Sequence, residues 1–158
     1  MKRTRLVLSF LLGLLAGAGL FLAVLILRSP KAVGSAAERE QRFEASMHGV
    51  TLVGYSNTLR RPNVLSSEEQ YKIDGVTKIS GATWLFRARM KLGNTEIPLP
   101  IPVNIEWAGD TPVLTMTDMT VPPFGAYSVR LVFYGDQYAG VWMGKGFGGQ
   151  MFGRIVRQ

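Results

Sequence analysis

The sequence contains no cysteine. This absence excludes disulfide bonds, thiolate nucleophiles, zinc sites with thiolate ligands and lipid attachment at an N-terminal cysteine. It does not identify the compartment, because exported domains can fold without disulfide bonds.

Histidine is nearly absent as well, since His48 is the only one in the sequence. A catalytic triad or dyad would have to use it, and its neighbours Met47 and Gly49 offer no partner. We interpret His48 as an ordinary residue at a strand end. The acidic residues are scattered and do not form a clustered set of zinc ligands. The sequence therefore argues against an enzyme, and it predicts no cofactor and no metal.

One long apolar run, Leu6–Leu27, contains a single polar side chain, Ser9. At a rise of about 1.5 Å per residue, a helix of this length crosses a hydrocarbon core of about 30 Å. We predict a transmembrane helix over residues 6–27 that stays in the lipid bilayer as a signal anchor. The alternative is a cleaved secretory signal, but such signals have a shorter apolar core.

The basic excess of the chain lies mostly beside this run. Five of the 18 Lys and Arg residues flank it, which leaves 13 against 11 acidic residues and a net charge of +2 on the remainder. This distribution argues against nucleic-acid binding. It predicts residues 1–5 in the cytoplasm and the domain in an extracytoplasmic compartment, periplasmic or cell-surface. Gly13 and Gly17 have the spacing of a helix-contact motif, which would allow a homodimer.

Residues 28–45 are predicted to form a linker and a short helix. Pro30 ends the apolar segment, because proline cannot continue a helix. Ser35 and Glu38 have the spacing of a capping box, in which each side chain bonds the backbone N–H of the other residue. A short helix over about Ala36–Ser46 is expected to follow.

From residue 46 to residue 158 the apolar period changes to two, which is typical of β-strands. Short turns join most of the segments, which disfavours parallel crossovers. We expect an all-β domain, an eight-stranded antiparallel up-and-down barrel or a strongly curled meander. The predicted strands are Met47–Tyr55, Glu69–Ile79, Thr83–Leu92, Glu96–Trp107, Thr111–Met119, Ala126–Tyr134, Gln137–Met143 and Gly148–Val156.

The fourth predicted strand carries prolines at alternate positions, Pro98, Pro100 and Pro102. Successive strand residues direct their N–H groups to opposite edges, so these prolines remove donors from one edge only. The pattern predicts an edge strand, or a gap in an otherwise closed sheet. A polyproline-like linker is the alternative, but apolar side chains at every intervening position from Ile97 to Trp107 favour a strand.

The C-terminal stretches AGDTPVLTMTDM, FYGDQYAGVWMGKGFGG and MFGRI, within Ala108–Arg154, resemble an uncharacterised family of membrane-anchored bacterial β-proteins. The strand and loop pattern is also similar to calycin-like barrels, the class that contains lipocalins and avidins. The first resemblance implies a protein of the bacterial envelope and no assigned activity. The second is a resemblance of architecture only, and a barrel of eight strands can be filled by side chains or can hold one small ligand.

Aromatic side chains and one mid-strand acidic residue are the candidates for lining such a barrel. The speculative ligand-binding residues are Trp84, Phe86, Asp118, Tyr127, Phe133, Tyr138 and Trp142. We predict non-catalytic binding of a small apolar ligand or of an envelope protein. The alternative is a structural module of an envelope assembly, with a solid core and no ligand. An interior cavity of about 300 Å³ or more would favour ligand binding.

Overall fold

The computed structural model describes residues 34–59, 67–92, 95–122 and 125–157. Within these ranges, one helix precedes eight antiparallel strands that pair in chain order, and the last strand pairs with the first. The closed up-and-down barrel confirms the all-β fold and is consistent with a calycin-like architecture. The elements are α1 (Ala36–Ser46), β1 (Val50–Ser56), β2 (Ser67–Ser80), β3 (Thr83–Leu92), β4 (Thr95–Ala108), β5 (Thr111–Val121), β6 (Gly125–Tyr134), β7 (Gln137–Gly144) and β8 (Phe147–Arg157).

The predicted transmembrane helix at residues 6–27, with Gly13 and Gly17, lies outside the described residues. In the part of the chain that is described, no helix combines the length and the apolar character that a membrane crossing requires.

Helix α1 begins and ends where the sequence predicts. The Ser35 hydroxyl accepts the N–H of Glu38 at 3.2 Å, and the Ser35 N–H donates to the Glu38 carboxylate at 2.9 Å. The Phe43 ring packs edge-on against Trp84 with 5.4 Å between ring centroids, and it also contacts three further rings. These are Phe86, Trp107 and Phe133. Because these rings come from three strands of the barrel, α1 closes one end of it.

Strand β1 starts three residues later than predicted, at Val50. The N–H of Met47 bonds the carbonyl of Phe43 at 3.1 Å and so belongs to the end of the helix. Gly49 then takes a positive φ of 65°, a conformation that favours glycine and turns the chain into the strand.

The proline-rich strand β4 pairs with β3 along ten residues, from Thr95 to Asn104. Its pairing with β5 covers only Asn104–Ala108. The stretch of β4 before Asn104, which contains all three prolines, therefore has no ladder on the β5 side. We call this stretch of β4, together with the facing residues 116–121 of β5, the β4–β5 gap. It confirms the predicted gap in a closed sheet, since prolines cannot donate to a neighbouring strand.

A bulge in β2 interrupts the alternation of its side chains. Ile73 pairs with Ala88 and Gly75 pairs with Arg87, so Asp74 is an extra residue in the ladder. An extra residue moves the side chains that follow it to the opposite face, here as far as a second register shift between Lys78 and Ser80. Ile79, which uninterrupted alternation would place on the same face as Ile73, is exposed at 58%, while Val76 is buried.

Candidate ligand-binding cavity

A cavity of about 320 Å³ occupies the barrel between α1 and the opposite end. Its floor includes Phe86 and Phe133, two of the four rings that contact Phe43. Its walls are the inward-facing side chains of β1 to β8 and are almost entirely apolar. The aliphatic and methionine residues of the walls are Leu52, Ile73, Ala88, Met90, Leu99, Ile101, Val103, Leu114, Met116, Val121, Val129, Leu131 and Met151.

Three aromatic rings surround the end of the cavity that lies away from α1. Tyr127 lies 6.2 Å from both Trp142 and Phe147, and the last two are 5.6 Å apart, measured between ring centroids. They come from β6, β7 and β8, and all three line the cavity. They pack mainly edge-to-face or tilted, which is the favourable geometry for aromatic pairs. We call Tyr127, Trp142 and Phe147 the rim rings.

One carboxylate lines this otherwise apolar space, that of Glu69 on β2. One of its oxygens accepts the hydroxyl of Ser56 at 2.5 Å, and the other accepts the hydroxyl of Tyr71 at 2.9 Å. Burial, followed by the charge of Glu69 and this hydrogen bond, holds the pKa of Tyr71 far above its usual value. The Tyr71 phenol therefore stays protonated and remains a donor to Glu69.

Glu69 was not among the predicted site residues, although the sequence contained a signal for it. In a regular strand Glu69, Tyr71 and Ile73 share one face, because successive side chains alternate. The bulge at Asp74 lies after all three residues, so the alternation is intact where Glu69 stands.

Tyr138 and two glycines form a row that leads to Glu69. In the barrel ladder Tyr138 pairs with Gly153, Gly153 with Gly54, and Gly54 with Glu69. Tyr138 is only 2% exposed, and its hydroxyl has no hydrogen-bond partner among the described residues. Burial and, to a lesser degree, the charge of Glu69 raise the pKa of Tyr138 to about 12. The glycines leave the space that the phenol ring occupies.

The predicted aromatic candidates separate into two groups. Phe86, Tyr127, Phe133 and Trp142 line the cavity. Trp84 is 1% exposed and packs against Phe43 at the closed end, and Tyr138 lies in the glycine row, so both belong to the packed core.

Asp118 lies outside the cavity, on an exposed bulge of β5. The ladder with β6 shifts between Met116 and Met119, and Asp118 takes a positive φ of 47° there. Its N–H donates to the hydroxyl of Ser128 at 2.9 Å, and that hydroxyl donates to the Asp118 carboxylate at 3.0 Å. The mid-strand position suggested an inward side chain, but the bulge changes the alternation at this point.

The outer surface of the barrel carries an apolar row across four strands. Val132 of β6 pairs with Ala139 of β7, which pairs with Phe152 of β8, which pairs with Tyr55 of β1. The exposed fraction is 41% for Val132, 49% for Phe152 and 43% for Tyr55. We call these four residues the outer row.

His48 is exposed and lies beside Gly75, away from the cavity lining. In the described part of the chain, no three His, Asp or Glu residues are grouped so that they could hold a metal ion.

Comparison of the chain with protein-family models, with curated proteins and with solved structures finds no match.

Proposed function

We propose that the barrel binds a small, mainly apolar ligand in its cavity and catalyses no reaction. The observation that carries this proposal is the cavity of about 320 Å³, lined by apolar side chains and one carboxylate. Binding sites for small molecules have this composition, with volumes from about 300 Å³ upward. A purely structural module with a solid core would instead fill this space with its own side chains.

The location is part of the same proposal and is supported by the sequence. The apolar run Leu6–Leu27 and its basic flanks favour a single membrane anchor, with the barrel on the extracytoplasmic side. A barrel tethered in this way would meet its ligand at the outer face of a membrane, within the bacterial envelope that the sequence resemblance implies.

Fluorescence of the uncharged dye prodan, whose emission moves to shorter wavelength in apolar surroundings, tests the proposal. The purified full-length chain should bind prodan and shift its emission. The variant Ala88→Phe places a ring into the cavity and should abolish most of that shift, because Ala88 lines the cavity and is 8% exposed. Ala139→Phe makes the same change on the exposed outer row and should leave the shift unchanged.

Equal prodan binding by the Ala88→Phe variant and the wild type would contradict binding in the cavity. Circular dichroism of each variant confirms that the barrel is folded. Because Phe at position 88 could overfill the core, Ala88→Leu provides a smaller change, with an intermediate loss of dye binding expected.

A second candidate function, docking of a partner protein, rests on the outer row. Large apolar side chains in a contiguous exposed patch are typical of interaction surfaces. A photo-crosslinking amino acid at position 152 should give one discrete adduct in cells if a partner covers this row. The same probe at Glu106, which is exposed on β4, is the control and should give none.

A further inference from the structure

We propose that the ligand carries a cationic amine head group on its apolar body, and that Glu69 binds this head group. This inference rests on the proposed function, because it concerns the same cavity. Two features of the cavity indicate this ligand class: the charge that faces it, and the hydrogen-bonding positions of the Glu69 carboxylate that its described partners leave open.

Among the described residues that line the cavity, the one charged side chain is acidic. Glu69 is an acid, and the described residues that line the cavity include no Lys, Arg or His. A fatty acid or another ligand with a carboxylate head would bring a second negative charge beside Glu69, and the described lining residues supply no cation to offset it. Like charges at close range in a poorly solvated space are strongly unfavourable. The cavity therefore selects against anionic heads.

Glu69 also keeps acceptor capacity for a ligand. An ionised carboxylate has about four lone-pair positions on its two oxygens. The hydroxyls of Ser56 and Tyr71 occupy one position on each oxygen. Neither donor is charged, so the negative charge of the carboxylate is not neutralised by its described hydrogen-bond partners. An ammonium group can donate to the remaining positions and neutralise that charge.

The aromatic side chains favour the same choice. Tyr71 and the rim rings line the cavity together with Glu69. The face of an aromatic ring carries partial negative charge and attracts an ammonium group. Recognition of an amine by a carboxylate and several rings is thus physically consistent, and the apolar body of the ligand would fill the space toward Phe86 and Phe133.

Three six-carbon probes with different heads test the inference: hexylamine, hexanol and hexanoate. A primary alkylamine resembles a lysine side chain and is protonated at neutral pH. Each probe is titrated against prodan bound to the full-length chain, and the Ala88→Phe variant gives the background signal. Hexylamine should displace the dye at concentrations at least about tenfold lower than hexanoate, since a charged hydrogen bond contributes about 1.5–3 kcal/mol. Hexanol should fall between them.

The variant Glu69→Gln keeps the shape of the side chain and removes its charge. When each probe is titrated against the variant's own prodan signal, the preference for hexylamine over hexanoate should fall by about tenfold. Glu68→Gln is the matched control, because Glu68 is the adjacent residue and is exposed on the outer face, where it accepts the hydroxyl of Tyr55. It should keep the full preference for the amine.

Three results would overturn the inference in distinguishable ways. If prodan binds but hexanoate displaces it as well as hexylamine does, the ligand class is wrong while the cavity still binds ligands. If the wild type and Ala88→Phe give the same prodan signal, the proposed function fails and the inference fails with it. An amine preference that survives Glu69→Gln would show that another group selects the head.

Discussion

The hydroxyl of Tyr138 stands 2.5 Å from the position that a β-carbon on Gly54 would occupy. The same β-carbon would lie 2.1 Å from the carbonyl oxygen of Phe152 and 2.7 Å from the α-carbon of Gly153. Two of these three atoms belong to backbone, which cannot move aside as a flexible side chain can. The ring of Tyr138 and a side chain at position 54 therefore exclude each other.

We predict that Gly54→Ala lowers the free energy of unfolding by about 1–3 kcal/mol, the usual cost of overpacking. Urea denaturation of the full-length chain followed by circular dichroism measures it. The control is Gly75→Ala, whose β-carbon would meet only side-chain atoms within 4 Å, with Arg87 Nη2 the closest at 2.9 Å. An equal loss in both variants would contradict the role of the glycine row.

Phe43 should contribute more to stability than any exposed ring. It is 5% exposed and touches four aromatic residues at the closed end of the barrel. Phe43→Ala should therefore lower the free energy of unfolding by about 3–5 kcal/mol. Tyr134→Ala, at a side chain that is 76% exposed, should change it by less than about 0.5 kcal/mol. Similar denaturation midpoints for the two variants would mean that α1 does not close the barrel.

Stability should decline in alkaline solution. Tyr138 has a folded-state pKa raised to about 12 by burial and by Glu69, and that of Tyr71 is raised further. An unfolded tyrosine loses its proton near pH 10, so above that pH the unfolded state binds fewer protons than the folded state. The contribution of these two phenols to the free energy of unfolding is therefore fully present below about pH 10. It decreases as the pH rises toward about 12.

Urea midpoints measured between about pH 10 and about pH 12 check this dependence. Tyr138→Phe removes one of the two groups and should make the decline shallower. Midpoints of the wild type that stay constant across this range would contradict the burial of both phenols.

Hydrogen exchange should distinguish the two halves of β5. Residues Thr111–Thr115 pair with β4, whereas the residues that follow, up to Val121, face the β4–β5 gap. Peptides that cover residues 117–121 should therefore exchange faster than peptides that cover residues 111–115. Strand β3, which pairs with β4 along its whole length and with β2 along most of it, provides the internal reference for slow exchange. Uniform protection along β5 would contradict the gap.

The elements that were correctly predicted are those whose signals are local. The capping pair Ser35 and Glu38 determined the start of α1, and the missing N–H groups of Pro98, Pro100 and Pro102 determined where β4 cannot pair. Each of these effects acts within a few residues. Strand ends predicted from alternation agree with the structure to within three residues.

The side-chain directions that could not be predicted depend on bulges. Ile79 follows a bulge in β2, and Asp118 lies within a bulge in β5. At both places the alternation that predicts the direction of a side chain is interrupted. The cavity itself was also beyond prediction, because alternation shows which side chains face inward but not whether they meet. Whether eight strands enclose free space depends on how the whole barrel closes.

The position of Phe43 also gives the cavity a fixed depth. If the cavity binds a ligand as proposed, Phe86 and Phe133, with α1 behind them, would limit how far the ligand extends into the barrel. For a series of straight-chain amines held at Glu69, each added methylene should strengthen binding by about 0.8 kcal/mol until the tail reaches that floor. Beyond that length we expect no further gain, because the tail would meet Phe86 and Phe133.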